Sequence, residues 1–475
     1  MKIFVSLLIS LLSLPLSAQN LWPGTWTGTM EAGTQKIDLI LHLSILEDLS
    51  YVATWDVPAQ GAKGIACKNV KIDNLSISME FESIPVVFKG TYNPEKDLLE
   101  GFWTQSGQKF ALNLKQLPLG EQPKEKVFKQ TPQAPFGYTS EEIVYTGSKT
   151  GLNYGATFTY PKKGKFFKTV ILITGSGQQD RNESILGHQS FNVIADYFAK
   201  NGIAVLRIDD RGIGKSTGDF SASTSLDFAN DVEEHIRYLK TRKEVNPKLI
   251  GLCGHSEGGM IAPIVASRNP NDVAFIISMA GPAEPILDLM VDQNKSILLS
   301  QGVPEAMVTS YLELYKGMVL SICNSTDSVV MQKETKLLLE NWKVKNTPSA
   351  IEGLTGITDQ ASEDEFLNTF RTQIGAPWFK FFMSYNPEKA IAGTNCPILA
   401  MNGEKDIQVG SKNNIAAWKN ITKGKTQAVQ IIEFKGLNHL FQKCTTCLLS
   451  EYGTLETTIE PEVLKTMVKF IKKRK

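Results

Sequence analysis

Leu249-Ile-Gly-Leu-Cys-Gly254-His255-Ser256-Glu257-Gly258-Gly259-Met-Ile-Ala-Pro-Ile-Val-Ala266 is the stretch on which the reading of this chain turns. It opens with a short apolar run, which reads as a buried strand. It closes with an apolar segment that reads as a helix packed on that strand. Between them stands Gly254-x-Ser256-x-Gly258, the spacing of a sharp strand-to-helix turn with a serine at its tip. Such a turn holds the serine in a strained backbone conformation. Side chains two residues to either side would collide, so glycine is wanted at both places. The turn lifts the Ser256 hydroxyl clear of a sheet. It also aims the first helical amides, that of Glu257 among them, at the place where an oxyanion would form.

The same spacing recurs at Gly214-Lys215-Ser216-Thr217-Gly218. There it is followed by Asp219-Phe-Ser-Ala-Ser-Thr-Ser225, polar and turn-like with no apolar helix, so it reads as a loop. A phosphate-binding loop would need a glycine five positions before Gly214, where Asp209 stands.

Outward from the turn, strand and helix patterns alternate. Strands are expected at 142–145 and 154–160 as an opening hairpin, then at 169–174, 203–208, 249–254 and 274–279. Helices are expected at 191–200 and 226–241. This alternation means an α/β fold, a parallel sheet with helices on both faces. Over 285–385 the strand signal vanishes and helical spacing appears at 286–299, 305–319 and 329–342, a helical cap inserted over the sheet edge. Sheet character returns at 396–401 and 429–434, and a helix at 461–473 ends the chain. The first and second parts of the α/β domain are thus 137–284 and 386–475.

Before this domain, 118–136 is rich in proline and lysine and reads as a linker. The region 19–117 reads as a small all-β domain, a barrel or sandwich, with strands at 37–44, 75–81 and 110–115. Turn signals at Asn93-Pro94, Gly101 and Ser106-Gly107 separate its strands. Trp22, Trp26, Trp55 and Trp103 fall here and read as its core filling rather than as a ligand platform. At the start, Met1-Lys2 precedes an apolar run over 3–14, and Leu16-Ser17-Ala18 precedes Gln19 as a cleavage site. Residues 1–18 are therefore expected to be a signal peptide, and the mature protein to be exported, periplasmic or secreted. The run is short for a membrane span, so no stable membrane insertion is expected after cleavage.

A formal net charge of +1 gives no reason to expect nucleic acid as partner. Six cysteines in 475 residues are too few to build the fold from disulfides. Cys253 reads as a buried free thiol, and Cys444-Thr-Thr-Cys447 as a structural bridge or two unpaired thiols.

A serine nucleophile needs a base, and the base needs an orienting acid. The histidines are His42, His188, His235, His255 and His439. In a fold of this kind the order is serine, acid, histidine. Only His439 follows Ser256, and it lies in a loop just after the strand expected at 429–434. The acid should follow a late strand. Asp406 does, in Asn402-Gly-Glu404-Lys-Asp406, with Glu404 in reserve. The second oxyanion amide is assigned to Ser176, with Gly177 as the alternative, in the glycine-rich loop Thr174-Gly175-Ser176-Gly177-Gln178-Gln179-Asp180-Arg181. Asp180 and Arg181 are expected to pair and hold that loop.

These features resemble exported α/β-hydrolases of the serine-aminopeptidase-like branch, often called esterases, with an N-terminal β-domain. The bearers are the Gly175–Arg181 loop, Asp210-Arg211-Gly212-x-Gly214-x-Ser216, the turn at 254–259, Gly403-x-x-Asp406 and Asn438-His439. Trp55-Asp-Val-Pro-Ala-Gln-Gly61 resembles the β-domain of that group. Gln178 departs from the pattern, where proline is common. The resemblance implies an α/β-hydrolase fold and hydrolysis of a small-molecule carboxylic ester, with no metal or cofactor. Two other readings stand beside it, a serine peptidase and a non-catalytic exported binding protein. Oligomeric state is not legible in the chain.

Overall fold

The computed structural model describes residues 21–474, apart from 33–34, 59–61, 82–85, 106–107, 119, 122 and 124–126. The segment read as a signal peptide, the Ser106-Gly107 turn and the Gln60-Gly61 end of the family-like stretch lie outside the described residues. The chain divides into two compact units, Met1–Glu125 and Lys126–Lys475.

In the first unit β1 (Gly24–Ala32), β2 (Gln35–Ile45), β3 (Tyr51–Val57), β4 (Ala62–Asp73), β5 (Ser76–Phe81), β6 (Val86–Asn93), β7 (Leu98–Gln105) and β8 (Gln108–Gln116) form a closed barrel. Neighbours are antiparallel, and β8 returns to β1 through Trp26 opposite Gln116 and Thr27 opposite Lys115. Of the two architectures left open, the barrel is the one formed, and closure leaves no bare sheet edge. Alternation does the rest: Ala53, Trp55 and Val57 point inward from β3. The Trp55 ring lies 5.2 Å from Phe88 and 5.5 Å from Trp103, so the tryptophans fill the barrel.

The second unit is built on an eight-stranded sheet. Its strands in chain order are β9 (Tyr138–Thr146), β10 (Asn153–Pro161), β11 (Phe167–Ile173), β14 (Ala204–Ile208), β15 (Val245–His255), β16 (Phe275–Met279), β17 (Ile398–Gly403) and β18 (Val429–Phe434). A small two-stranded ladder, β12 (Ser184–Ile185) with β13 (His188–Gln189), stands apart from it. The spatial order of the main sheet is β18-β17-β16-β15-β11-β14-β10-β9. From β14 to β18 all pairs are parallel, and β9 and β10 form the antiparallel hairpin at the other edge.

Both faces are covered, which is why the central strands read as unbroken apolar runs. On β11, Ile171 and Ile173 face the core made with α2 (Ser225–Lys240), α3 (Glu257–Arg268), α10 (Glu388–Gly393) and α11 (Ser411–Ile421). Val170 and Leu172 face the other core, made with α1 (Ser190–Lys200) and α13 (Pro461–Lys472). Between β16 and β17 comes the cap: α4 (Ile286–Ser300), α5 (Glu305–Asn324), α6 (Ser328–Val344), α7 (Pro348–Thr355), α8 (Gln360–Gly375) and α9 (Pro377–Ser384). The last three of these carry no helix expectation from sequence. α7 and α9 are only eight residues long, too short for an apolar stripe to repeat. A further short helix, α12 (Leu449–Tyr452), lies beyond β18. Part of the expected linker is anchored: Phe128 stacks on His188 with ring centroids 3.6 Å apart, and Gln130 Nε2 donates to the Ile459 carbonyl at 2.8 Å.

Candidate active site

Three loops meet at the edge of the sheet where β11, β15, β17 and β18 end. The first is the turn from β15 to α3. Ser256 has φ 51° and ψ −118°, a conformation that a side chain bearing a Cβ adopts only under strain. The sequence permits it for a steric reason. A Cβ on residue 254 would sit 2.0 Å from the Gly258 carbonyl oxygen, and one on residue 258 would sit 2.1 Å from the Ile173 carbonyl oxygen. The turn is fixed by Ser256 N–H donating to Met279 O at 2.8 Å and by Gly259 N–H donating to Ser256 O at 2.9 Å. Ser256 itself is half-buried.

The second loop follows β17 and carries Asp406, which is buried. Its Oδ1 accepts the backbone N–H groups of Gln408 at 2.8 Å and Val409 at 2.9 Å. Its Oδ2 lies 2.7 Å from His439 Nδ1. The third loop follows β18 and carries His439. Asn438 Oδ1 accepts from Leu440 N–H at 3.0 Å and Gln442 N–H at 2.9 Å, which folds the loop tightly around the histidine. Residue 403 at the end of β17 must lack a side chain, because a Cβ there would come within 2.4 Å of the Leu437 and Asn438 carbonyl oxygens.

The structure therefore joins Asp406 to His439 directly. Glu404, the reserve acid, is exposed and accepts the Gly436 N–H at 2.9 Å. Ser256 is brought to the same edge through its neighbour: His255 Nε2 lies 3.1 Å from the His439 carbonyl oxygen. Ser256 makes no side-chain cap bond to its helix, and with Nδ1 of His439 engaged by Asp406, Nε2 is the ring nitrogen left over.

Opposite the serine lies the loop after β11. A Cβ on residue 175 would be 3.3 Å from Ser256 Cβ, so this backbone passes close beside Ser256. Among the described residues the N–H groups of Ser176 and Glu257 donate to no protein acceptor. The Glu257 carboxyl is buried, and burial raises its pKa above the ordinary range. It accepts from Ser225 Oγ on α2 at 2.6 Å and from the Trp378 indole N–H on α9 at 2.9 Å, so it ties the cap and α2 to the turn. Asp210 is more strongly affected. Burial first, with Glu257 and Glu183 adding to it, pushes its carboxyl up to about 8. It is held by Thr174 Oγ1 at 2.8 Å and by Gln179 N–H at 2.8 Å.

The expected Asp180–Arg181 pair does not form. Asp180 accepts from its own loop, from Asn182 N–H and Ser184 N–H at 3.0 Å each. Arg181 instead crosses to Asp209, with Nη2 at 2.6 Å from Oδ2 and Nε at 2.9 Å from Oδ1, and also pairs with Glu142. Adjacent residues in a tight turn cannot easily meet, and Asp209, just past the end of β14, offers Arg181 a buried carboxylate. Ser216 of the second G-x-S-x-G is a scaffold residue. It is buried, accepts from Gly155 N–H at 2.9 Å and donates to Asp209 O at 2.8 Å. Cys253 is a buried free thiol, and Cys444 is bonded to Cys447. Among the described residues no cluster of three histidines, cysteines or acidic residues is arranged to hold a metal ion. Nor is any described helix long and apolar enough to cross a membrane.

Missed at the level of sequence was Glu183. It is buried under the turn, with Oε1 2.9 Å from His255 Nδ1 and 3.0 Å from Gly175 N, which donates to it. Nothing local marks it, since its partner lies 72 residues away.

A parallel sheet with a serine turn at its edge, and the carboxylate–imidazole pair delivered by later loops, defines an α/β-hydrolase. The pattern of the family described as serine aminopeptidase, S33, matches residues 187–441, more than half of the chain, and the protein belongs to that family. The chain is similar to the esterase EstD of Thermotoga maritima, 27% identical over 317 residues that span 66% of this chain and 64% of that one. Among solved structures it is similar to Est1E of Butyrivibrio proteoclasticus with bound ferulic acid (14% identity, TM-score 0.37, 70% of this chain and 96% of that one). It is also similar to an esterase of Pyrococcus furiosus (13% identity, TM-score 0.42, 71% and 91%). An acetyl xylan esterase of a Paenibacillus species is a third (13% identity, TM-score 0.40, 72% and 87%).

Proposed function

We propose that this protein is an exported serine hydrolase that cleaves small carboxylic acyl esters through an acyl-enzyme on Ser256. The observation that carries the reading is the 2.7 Å contact between His439 Nδ1 and Asp406, at the sheet edge where Ser256 stands in a strained turn. A carboxylate on Nδ1 keeps the hydrogen there and leaves Nε2 as the lone-pair nitrogen. His439 Nε2 takes the proton as Ser256 Oγ attacks the acyl carbonyl. The N–H groups of Ser176 and Glu257 hold the oxyanion. Collapse transfers the proton from Nε2 to the leaving alcohol, and water then repeats the sequence on the acyl group. The similarity to EstD, itself an esterase, supports the ester as substrate.

The test is Ser256→Ala with a chromogenic acyl ester and a fluorophosphonate probe. Turnover is expected to fall by about 10⁶-fold and labelling to disappear. Near-native turnover in the variant would refute the assignment. The family description favours a second reading, a serine aminopeptidase. A panel of acyl esters against aminoacyl amides separates the two, with faster turnover of esters expected. Export rests on the sequence at 1–19, and an N-terminus at Gln19 in the secreted protein is the expected result.

A further inference from the structure

Beneath Ser256 lies a second buried histidine–carboxylate pair that the reaction above does not use. Glu183 is 1% exposed and His255 3% exposed. Glu183 also has φ 49°, where a glutamate sits only at a cost and must be held by its surroundings. What holds it is a chain of hydrogen bonds through three loops. Gly175 N–H donates to Glu183 Oε1 at 3.0 Å, His255 Nδ1 lies 2.9 Å from the same oxygen, and His255 Nε2 lies 3.1 Å from the His439 carbonyl oxygen.

The protonation state follows from these partners. A carbonyl oxygen only accepts, so Nε2 carries a hydrogen. A carboxylate also only accepts, so Nδ1 carries one as well. An imidazole with both hydrogens is a cation. We propose that Glu183 and His255 form a buried carboxylate–imidazolium pair that positions the oxyanion loop, the nucleophile and the base relative to one another. The proposal rests on the triad reading of Ser256, Asp406 and His439.

Each end of the chain of bonds leads to a part of the site. Gly175 precedes Ser176, whose N–H is assigned to the oxyanion. His255 precedes Ser256, so its ring cannot shift without moving the turn. The His439 carbonyl belongs to the backbone of the base. Neither Glu183 nor His255 touches a reacting atom, and both are positioning residues. The charged and titratable groups around them are few. His255 faces Glu183, the Asp406 carboxylate and the His439 ring, whose centroid is 4.7 Å from its own. Glu183 also faces Asp210 and the Cys253 thiol. Burial opposes the His255 cation, but the Glu183 charge and hydrogen bond outweigh it and hold the imidazole above its ordinary range.

The experiment uses the full mature chain labelled with ¹⁵N-histidine, which contains five histidines. Both imidazole N–H signals of His255, identified by their loss in His255→Gln, are expected at neutral pH. Glu183→Gln keeps the shape and removes the charge. A neutral ring keeps one hydrogen, so the variant should abolish one of the two His255 N–H signals and lower kcat on 4-nitrophenyl acetate by about 10²-fold, as misplacement of reacting groups does. KM should stay within about threefold, because ground-state binding is not altered. Glu183→Asp, which restores the charge, should restore the second N–H signal. A singly protonated His255 in the wild-type protein would overturn the proposal, as would wild-type kcat in Glu183→Gln. If Glu183→Gln does not fold, the wild-type spectrum alone decides. Failure of the triad reading looks different: Ser256→Ala would stay active, and the positioning role would fall with it even if both His255 signals were seen. A neutral His255 with an inactive Ser256→Ala sinks the pair alone.

Discussion

Asp406→Asn is the sharpest test of how the site would work, because it keeps the size of the side chain and changes only the bonds at Oδ2, to His439 Nδ1 and, at 3.4 Å, from Asn402 Nδ2. Asp406 Oδ1 accepts two backbone N–H groups, at 2.8 Å and 2.9 Å, and Oδ2 faces His439 Nδ1 at 2.7 Å. Asparagine has the same size, and its single oxygen must stay on the two N–H donors. Its NH₂ then lands opposite Nδ1. An NH₂ donates, so Nδ1 becomes the lone-pair nitrogen and the ring hydrogen moves to Nε2. An imidazole in that tautomer cannot accept the Ser256 proton. The expected loss in kcat is about 10⁴-fold, the cost of the wrong tautomer in a serine–histidine–aspartate site. That is about 5.4 kcal/mol of transition-state stabilisation. Steady-state hydrolysis of 4-nitrophenyl acetate, run beside a thermal melt, measures it. The melt should move little, since volume and both backbone bonds are kept. Glu404→Gln is the control, with kcat within about threefold of wild type because no contact to the base is lost. An Asp406→Asn enzyme within tenfold of wild type would refute the reasoning.

Two further outcomes follow from the same structure. Ser216→Ala should leave kcat and fluorophosphonate labelling unchanged. It should nevertheless destabilise the fold by about 1–3 kcal/mol, since Gly155 N–H and Asp209 O lose their buried partner. Asp210→Asn tests the buried carboxyl. Because burial holds the folded-state pKa at about 8, above the ordinary 3.8, the folded protein keeps a proton that the unfolded chain releases between those values. Wild-type stability from this group therefore falls as pH rises from about 4 to about 8, by up to about 1.4 kcal/mol per pH unit. Asparagine does not titrate. The melting temperature of wild type relative to Asp210→Asn should drop between pH 5 and pH 8, and a constant difference would contradict the assignment.

The central strands and their helices were legible because burial on two faces writes itself as continuous apolar runs at 169–174, 203–208 and 274–279. The helical cap was legible in long helices with a repeating apolar stripe, such as α5 and α6, and not in α8, which has 16 residues but buries only Leu367 and Ile374 as apolar side chains. The short helices α7 and α9 lacked that signal. Barrel and sandwich could not be told apart, because both are written with the same alternation. Only the β1–β8 pairing separates them. The Asp180–Arg181 expectation failed for a related reason. Charge near in sequence is not charge near in space, and Arg181 found Asp209 across the sheet edge instead.

The turn at 254–259 is in part a matter of local sterics. Gly254 must be glycine because a Cβ there would meet the Gly258 carbonyl oxygen within the turn itself, whereas Gly258 must be glycine because β11 passes beside it and a Cβ would meet the Ile173 carbonyl oxygen. Chain order and strand ends then nominate Asp406 and His439 without any coordinates. What the chain order cannot convey is contact between segments separated by long stretches of polymer. That His439 Nδ1 meets Asp406 rather than Glu404 depends on how two loops pack, as does the way Glu183 reaches back to His255 and Gly175. Hydrogen bonds act over about 3 Å, and only folding decides which groups come that close.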